Sequence, residues 1–582
     1  MRKQEFKYYP LLSYACAVLI VGVFFVWLNN SYGIFYLSND DTEIMKTYSG
    51  YATGEPTAYY AYGSYTLGLF FKGLYTIMPT LNWYTYCSII MLIISVAVII
   101  DSVFGLRNEG NVFRVIDFLL ISILTVAICL YGINRISWTM NAALAAVAGV
   151  MLLLSYGNEK KKKRYLYVFA LIFSFISLII RGASYKAVLP FGILVIVYSA
   201  YRRLDKPLLQ KKNLRVVVMG MLLMLPFLLV YGYGKVDSTI RQTVFPSGSG
   251  TFEYYRGLYT DSYHIPYEGN EEFYESIGWD AELYNMARSW FFLDRRFNTE
   301  NLKKIAEKSA EERSIEAENS GNQIYWDEFV NLTKENPVRV AMTSIVVAMA
   351  AIGLIMTLYC LVKKRNLEDW IFLSATQLLA IAEWVWLVAG RGRFIDRAFY
   401  CAAIPALCVG MWVIAKNAIF IDKYRWVYVF IGIFAIWSFQ TAWNKNVSKE
   451  AADSARASSQ VSVDADEIAF THPENFYIFD TSIAGGVQLF LNMDWRGCGR
   501  NKMLWGGTQV RTKPFYTTIA RFGYDEFYSE NLFDDNVYYM TTTADIDNSA
   551  FMAYMKKCFG ETVSADVVQT TESGIYVYDL SR

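Results

Sequence analysis

The stretch Ser38-Asn39-Asp40-Asp41-Thr42-Glu43-Ile44-Met45 sets two adjacent carboxylates beyond a long apolar run, 11–28. On a helix over 40–49, side chains three and four apart share a face, so Asp41 aligns with Ile44, Met45 and Tyr48, and Asp40 with Glu43 and Thr47. An acid on the apolar face is the unusual one. It can take a proton from an incoming hydroxyl, or, with Asp40, hold a divalent ion such as Mg or Mn that assists. The same residues also read as a helix start: Ser38-x-x-Asp41 resembles a capping box, and acids favour a first turn.

Cations at other positions give these acids company. Arg135, then Arg181 and Lys186, then Arg391, Arg393 and Arg397 fall at ends of apolar segments that share one side, while Glu383 lies about two turns inside an apolar segment. An ionisable group at membrane depth is expensive and faces a cavity or a partner, so a Glu383 to Arg ion pair is the structural alternative. Acids and arginines at one membrane interface suit transfer of a group away from a lipid phosphate. Guanidinium forks hold the phosphate and stabilise developing charge, and a carboxylate receives the proton. After Pro56, Tyr59, Tyr60, Tyr62, Tyr65, Phe70, Phe71 and Tyr75, with Lys72, read either as an aromatic helix at the bilayer surface beside a lipid portal or as membrane-belt packing.

The elements that must position these residues follow from composition. Of 582 residues 54% are hydrophobic, 17% aromatic and only 18% charged, which marks a membrane protein rather than a chain of soluble domains. A net charge of +1 provides no field for nucleic acid. Eleven apolar segments are long enough to be spans: 11–28, 84–100, 113–131, 141–157, 165–180, 186–201, 214–231, 339–362, 370–389, 398–415 and 426–441. With the amino terminus inside, the inner connections hold 22 Lys and Arg and the short outer turns six, so the positive-inside rule places the amino terminus in the cytoplasm. Residues 29–83, 232–337 and 442–582 are then extracytoplasmic.

Four regions result: a transmembrane module over 1–231 carrying the first outer loop, a mainly helical outer segment over 232–337, a second transmembrane module over 338–441, and an outer domain over 442–582. Strands at Phe476–Phe479, Val537–Thr541 and Ile575–Tyr578, a helix at Phe551–Cys558 and a turn at Glu572-Ser573-Gly574 make the last an α/β domain. Asn298 or Thr299 caps a helix before Leu302 and Ile305; the tyrosines of this segment and Trp290 read as core rather than sugar contacts. Six of eight cysteines lie in or beside spans, and Cys498 and Cys558 could pair. The two histidines, His264 and His472, have no ligand pattern around them.

An acidic pair just after span one, followed by amphipathic segments, resembles the GT-C class of integral-membrane glycosyltransferases. The stretch from Asn39 to Tyr84, with Ser49-Gly50, Thr53-Gly54-Glu55-Pro56, Leu74-Tyr75 and Asn82-Trp83-Tyr84, is similar to bacterial envelope members of that class. The resemblance implies a mainly α polytopic fold with about 11 transmembrane helices, joined here to the C-terminal α/β domain. It also implies a polyprenyl-phosphate sugar donor, transfer outside the cytoplasmic membrane to an envelope glycan, polymer or lipid, and inversion at the anomeric carbon. It places the base or metal role on Asp41, with Asp40 second, and donor-phosphate contacts on Arg391 and Arg393 of Gly390-Arg-Gly-Arg-Phe394. A flippase for lipid-linked glycans and a polysaccharide-binding scaffold are the readings from other classes. No internal repeat of the kind transporters carry is evident.

Overall fold

In a bilayer every backbone N–H and C=O must be satisfied within its own segment, so the apolar runs become helices. The computed structural model describes residues 9–51, 54–106, 115–158, 163–203, 211–245, 249–321, 323–363, 367–391, 394–417, 447–484, 486–487, 489, 500–507 and 510–582. Among these, nine helices are long and apolar enough to cross a membrane, and Arg164–Ile180 is a shorter apolar helix. Together they account for ten of the eleven apolar segments; the segment 426–441 lies outside the described residues. The protein is a mainly α-helical, multi-pass membrane protein. The chain divides into two units, one comprising Met1–Ile34, Cys87–Val236 and Tyr325–Ala452, the other Phe35–Tyr86, Asp237–Ile324 and Asp453–Arg582.

The first unit is built from apolar helices: α1 Tyr9–Tyr32, α4 Trp83–Phe104, α5 Val115–Asn134, α6 Trp138–Asn158, α7 Arg164–Ile180, α8 Gly182–Tyr201, the first part of α9 Lys211–Val244, α15 Pro337–Val362, α16 Glu368–Arg391 and α17 Asp396–Lys416. Helix α6 is its centre, packed against α7, α8 and α17 and buried along almost its whole length. Its Ala142, Ala143, Ala145, Ala146, Ala148 and Gly149 explain why, since small residues let helix backbones approach closely where lipid offers no hydrophobic drive. At the far ends of α8, α16 and α17, Lys416 Nζ donates to Asp369 (2.7 Å) and to the Tyr198 hydroxyl (2.8 Å), tying three helices together.

The second unit gathers residues from all three long hydrophilic segments. The first contributes α2 Asn39–Ser49 and α3 Tyr65–Ile77; the middle one, the end of α9, α10 Ser249–Asp261, α11 Glu271–Ser276, α12 Ala281–Arg288 and α13 Thr299–Asn319. Asn298 caps α13, its side chain accepting from Asn301 N–H at 2.9 Å. Short α14, Gln323–Lys334, follows and from Tyr325 onward belongs to the first unit. The tail contributes α18 Lys449–Thr471, α19 Lys513–Ala520, α20 Ala550–Phe559 and a five-stranded sheet. Its strands are β1 Phe476–Phe479, β2 Lys502–Leu504, β3 Val537–Thr541, β4 Ser564–Thr570 and β5 Tyr576–Ser581, in the order β2-β1-β3-β5-β4. β1 pairs parallel with β2 and β3; β5 runs antiparallel to β3 and β4, joined to β4 by the turn at Gly574 (φ +86°).

Two features depart from the sequence reading. Helix α9 continues to Val244, past the end of the apolar run at 231, because its polar last turns carry the carboxylate of Asp237 to the start of α3. There it accepts from the N–H groups of Tyr65 and Thr66, each at 2.9 Å. The middle segment and the tail, separate regions in the sequence reading, also share one hydrophobic core, in which Trp279, Phe291 and Phe297 meet Trp505, Tyr539 and Phe551.

Candidate active site

Asp41 sits in the first turn of α2 and is fully buried. Ser38 occupies the N-cap position but makes no side-chain cap hydrogen bond, so the capping-box reading fails here. The Asp41 carboxylate turns inward instead, and the Tyr84 hydroxyl donates to its Oδ1 at 2.7 Å. Tyr84 is held in turn: its backbone N–H donates to the Tyr75 hydroxyl (3.0 Å), and that hydroxyl donates to Asn82 Oδ1 (3.1 Å). Tyr36 lies beside Tyr84 and shares a hydrogen bond with the Thr85 hydroxyl. Burial pushes the Tyr36 phenol up; the Thr85 bond opposes this and the Asp41 charge adds to it, so Tyr36 stays protonated. Ile44, Met45 and Tyr48 are buried on the same helix, and Asp40 is half-buried one position away.

Long-range contacts anchor α2 within its unit. The Thr42 hydroxyl donates to the Gly486 carbonyl at 2.8 Å. Lys46 reaches Asp466 of α18 at 3.3 Å, Lys502 of β2 pairs with the same carboxylate, and the Tyr51 hydroxyl donates to it at 2.6 Å. Gly50 ends the helix in the left-handed region (φ +83°), where a Cβ would meet the Glu55 carbonyl carbon at 2.3 Å. Lys46, Tyr51, Asp466 and Lys502 carried no motif in the sequence, because their partners lie hundreds of positions apart.

Of the residues after Pro56, Tyr59, Tyr60, Phe71 and Tyr75 are buried and pack the unit. Tyr59 donates to Glu253 (3.1 Å), and Arg241 donates to the Tyr60 carbonyl (2.9 Å). Burial raises the Glu253 carboxyl, against the Tyr59 bond and the Arg241 and Arg256 charges. Leu69, Phe70 and Ile77 are exposed on the other face of α3, giving it one packed and one open apolar face.

In the membrane-helix unit three of the six cationic candidates, Arg135, Arg181 and Arg397, lie near the starts of α6, α8 and α17. Arg181 is the N-cap residue of α8; its guanidinium lies 4.3 Å from the Trp138 ring and bonds the Thr139 hydroxyl, both at the start of α6. Ser184, two residues into α8, donates to the Thr139 carbonyl at 3.1 Å. Cys401, in the second turn of α17, has Ser184 as a hydrogen-bond partner and lies within electrostatic reach of Arg181, Glu383 and Arg397. Three helix N-termini, those of α6, α8 and α17, therefore converge. Tyr131 joins them: it stacks on Tyr400 at 4.1 Å and lies within electrostatic reach of Arg135, Arg397, Arg339 and Asp396.

Arg339 and Asp396 were missed by the sequence reading. Arg339 Nε donates to Asp396 at 2.6 Å and Asn336 adds a bond at 2.9 Å, so this acid is answered locally. Glu383, by contrast, forms no ion pair among the described residues. Lys186 is exposed on α8. Arg391 ends α16 with its side chain outside the described residues, and Arg393 and Cys498 lie outside them altogether. Among the described residues no three His, Cys, Asp or Glu side chains gather as a metal site. Asp40 and Asp41 diverge by about 100° around their helix, and Tyr84 occupies one Asp41 oxygen. Among the described residues Asp40 and Asp41 therefore do not form a paired metal site by themselves.

Fold and geometry define a polytopic, mainly helical membrane protein whose hydrophilic segments build a unit around a small sheet. No protein-family profile and no curated protein matches the chain. Two solved structures are similar over nearly its whole length. One is ArnT from Cupriavidus metallidurans in the apo state, 13% identical, covering 97% of each chain with a TM-score of 0.37. The other is ArnT from the same organism bound to undecaprenyl phosphate, 10% identical, covering 98% of each chain with a TM-score of 0.33.

Proposed function

We propose that the protein is a GT-C-type glycosyltransferase that moves a sugar from a polyprenyl-phosphate donor to a glycan, polymer or lipid of the cell envelope on the outer face of the cytoplasmic membrane. The observation that carries this reading is the convergence of three helix N-termini with Arg135, Arg181 and Arg397 in the membrane-helix unit. Helix N-termini present positive partial charge and N–H groups, and guanidinium forks add fixed charge, so the place is built for an anion. At the ends of apolar helices, the fitting anion is a phosphate carried on a lipid chain.

In the proposed reaction the acceptor hydroxyl oxygen attacks the anomeric carbon as the bond from that carbon to the phosphate oxygen breaks. The electron pair stays on the departing lipid phosphate, where Arg135, Arg181 and Arg397 stabilise it; Arg391 and Arg393 are assigned to the same phosphate. The acceptor's proton passes to the Asp41 carboxylate, which Tyr84 orients. Attack opposite the leaving group inverts the anomeric carbon.

The test is reconstitution of the full chain in liposomes with a radiolabelled polyprenyl-phosphate sugar and an envelope extract as acceptor. Release of polyprenyl phosphate with label in the acceptor supports transfer. R181Q and R397Q should raise KM and slow release. Label crossing the bilayer with its phosphate bond intact would instead establish a flippase.

A further inference from the structure

At the other ends of α6 and α8 the first unit encloses a second candidate site. The C-terminal turns of these helices, with the N-terminal turns of α7 and α9, surround a cavity of about 240 Å³. Its wall is mostly apolar, formed by Leu153, Val195, Met219 and Leu223, and Arg203 and Arg215 stand on its lining. Small residues line it and let the helices approach: a Cβ at Gly157 would clash with the Ser199 hydroxyl at 2.2 Å, and one at Gly220 would be in ordinary contact with Ala200 at 3.5 Å.

The cavity is framed by specific bonds. The Tyr167 hydroxyl donates to the Leu223 carbonyl (2.9 Å) and the Tyr185 hydroxyl to the Phe227 carbonyl (3.0 Å), which fix α9 against α7 and α8. Arg203 Nη2 donates to the Gly157 carbonyl at 3.3 Å, holding that guanidinium at the end of α6. The outer side of α9, Leu214, Val217, Val218, Leu222 and Leu225, is exposed and apolar, as a lipid-facing helix should be.

We propose that this cavity binds one anionic glycerophospholipid of the surrounding membrane, its phosphate between Arg203 and Arg215 and an acyl chain along Leu153, Val195, Met219 and Leu223. Charge complementarity selects the occupant. An apolar slot between transmembrane helices takes a hydrocarbon chain, and two arginines on the same lining require a headgroup with net negative charge. The connections flanking these helices, Lys160 to Arg164 and Arg202 to Arg215, are the most basic of the sequence and favour anionic lipid in the same leaflet.

The experiment is native mass spectrometry of the full chain ejected from nanodiscs of equal parts phosphatidylcholine and phosphatidylglycerol. The wild type should retain one phosphatidylglycerol in preference to phosphatidylcholine. R203Q/R215Q should retain it roughly thirtyfold less well, as expected for two charges of about 1 kcal/mol each near a membrane surface. G220L, which fills the slot and keeps both arginines, should lose it as well, and thermal unfolding of each variant checks its fold. Equal retention of the two lipids, unchanged retention by R203Q/R215Q, or unchanged retention by G220L would overturn the proposal.

Discussion

Asp40 and Asp41 are chain neighbours with different surroundings, because one position on a helix turns a side chain by about 100°. Asp41 lies among buried tyrosines and Asp40 is half-buried. If Asp41 is the base, D41N should lower sugar transfer by about 10²–10⁴-fold while thermal unfolding stays near wild type. Full transfer by that variant would remove the assignment. Tyr84 acts through Asp41, so Y84F should cost less activity and move the acid limb of the pH–rate profile to higher pH, since it removes a bond that favours the ionised carboxylate. A purely structural role would leave that limb in place. The apolar-face position of Asp41 was legible from spacing. Its partner was not, since Tyr84 lies 43 positions on and a tyrosine beside Trp83 reads equally well as membrane belt.

Asp294 offers a separate test at this scale. Burial would raise its carboxyl, but bonds from Arg296 (2.8 Å) and Tyr554 (2.7 Å) outweigh that and hold it below its ordinary value. A depressed acid contributes stability that is present above its unfolded value of 3.8 and lost as pH falls through the folded one. Acid denaturation of the wild type should therefore steepen below about pH 4. D294N should flatten that limb and cost about 1–3 kcal/mol near neutral pH, read by denaturant unfolding.

At the scale of elements, α3 shows how local signals and distant partners combine. Ser64 caps it, its side chain accepting from Leu67 N–H at 3.2 Å. Asp237 completes the first turn from α9, and no local rule could have found it. Gly68 is required by close approach: a Cβ there would lie 2.0 Å from the Ala58 carbonyl oxygen, which is backbone and cannot swing away. G68A should therefore destabilise the protein by about 1–3 kcal/mol, seen as a lower unfolding temperature in tryptophan fluorescence. G73A, with nothing within 4 Å, should leave the melting curve near wild type and serves as the control. The strands β1 and β3 and the helix α20 were legible because apolar runs bounded by turns specify them locally. The edge strands β2 and β4 were not, since β2 is three residues long and β4 is largely exposed and mixed in character.

At the scale of the whole molecule, the basic bias of the connections predicts an orientation that labelling can check. Cysteines introduced as E572C, in the exposed β4–β5 turn, and K363C, exposed just after α15, with the native Cys498 and Cys558 replaced by Ser because Cys558 is itself an exposed thiol, should respond oppositely to an impermeant maleimide. E572C should label in intact cells and K363C only after permeabilisation; the reverse pattern would invert the topology and remove the outer-face reaction. Hydropathy alone determined that this chain crosses a membrane many times and about where each described span lies, because a bilayer forces each span to satisfy its backbone within one contiguous apolar segment. Composition and local spacing likewise determined the α/β tail and the apolar-face acid. Only the tertiary structure decided that Arg181, Arg397 and Glu383 lie within electrostatic reach of Cys401, that Lys46 and Lys502 share Asp466, and that the middle segment and the tail form one core. These pairings join positions tens to hundreds of residues apart, and a side chain's type and near neighbours do not encode which distant surface will fill the space beside it.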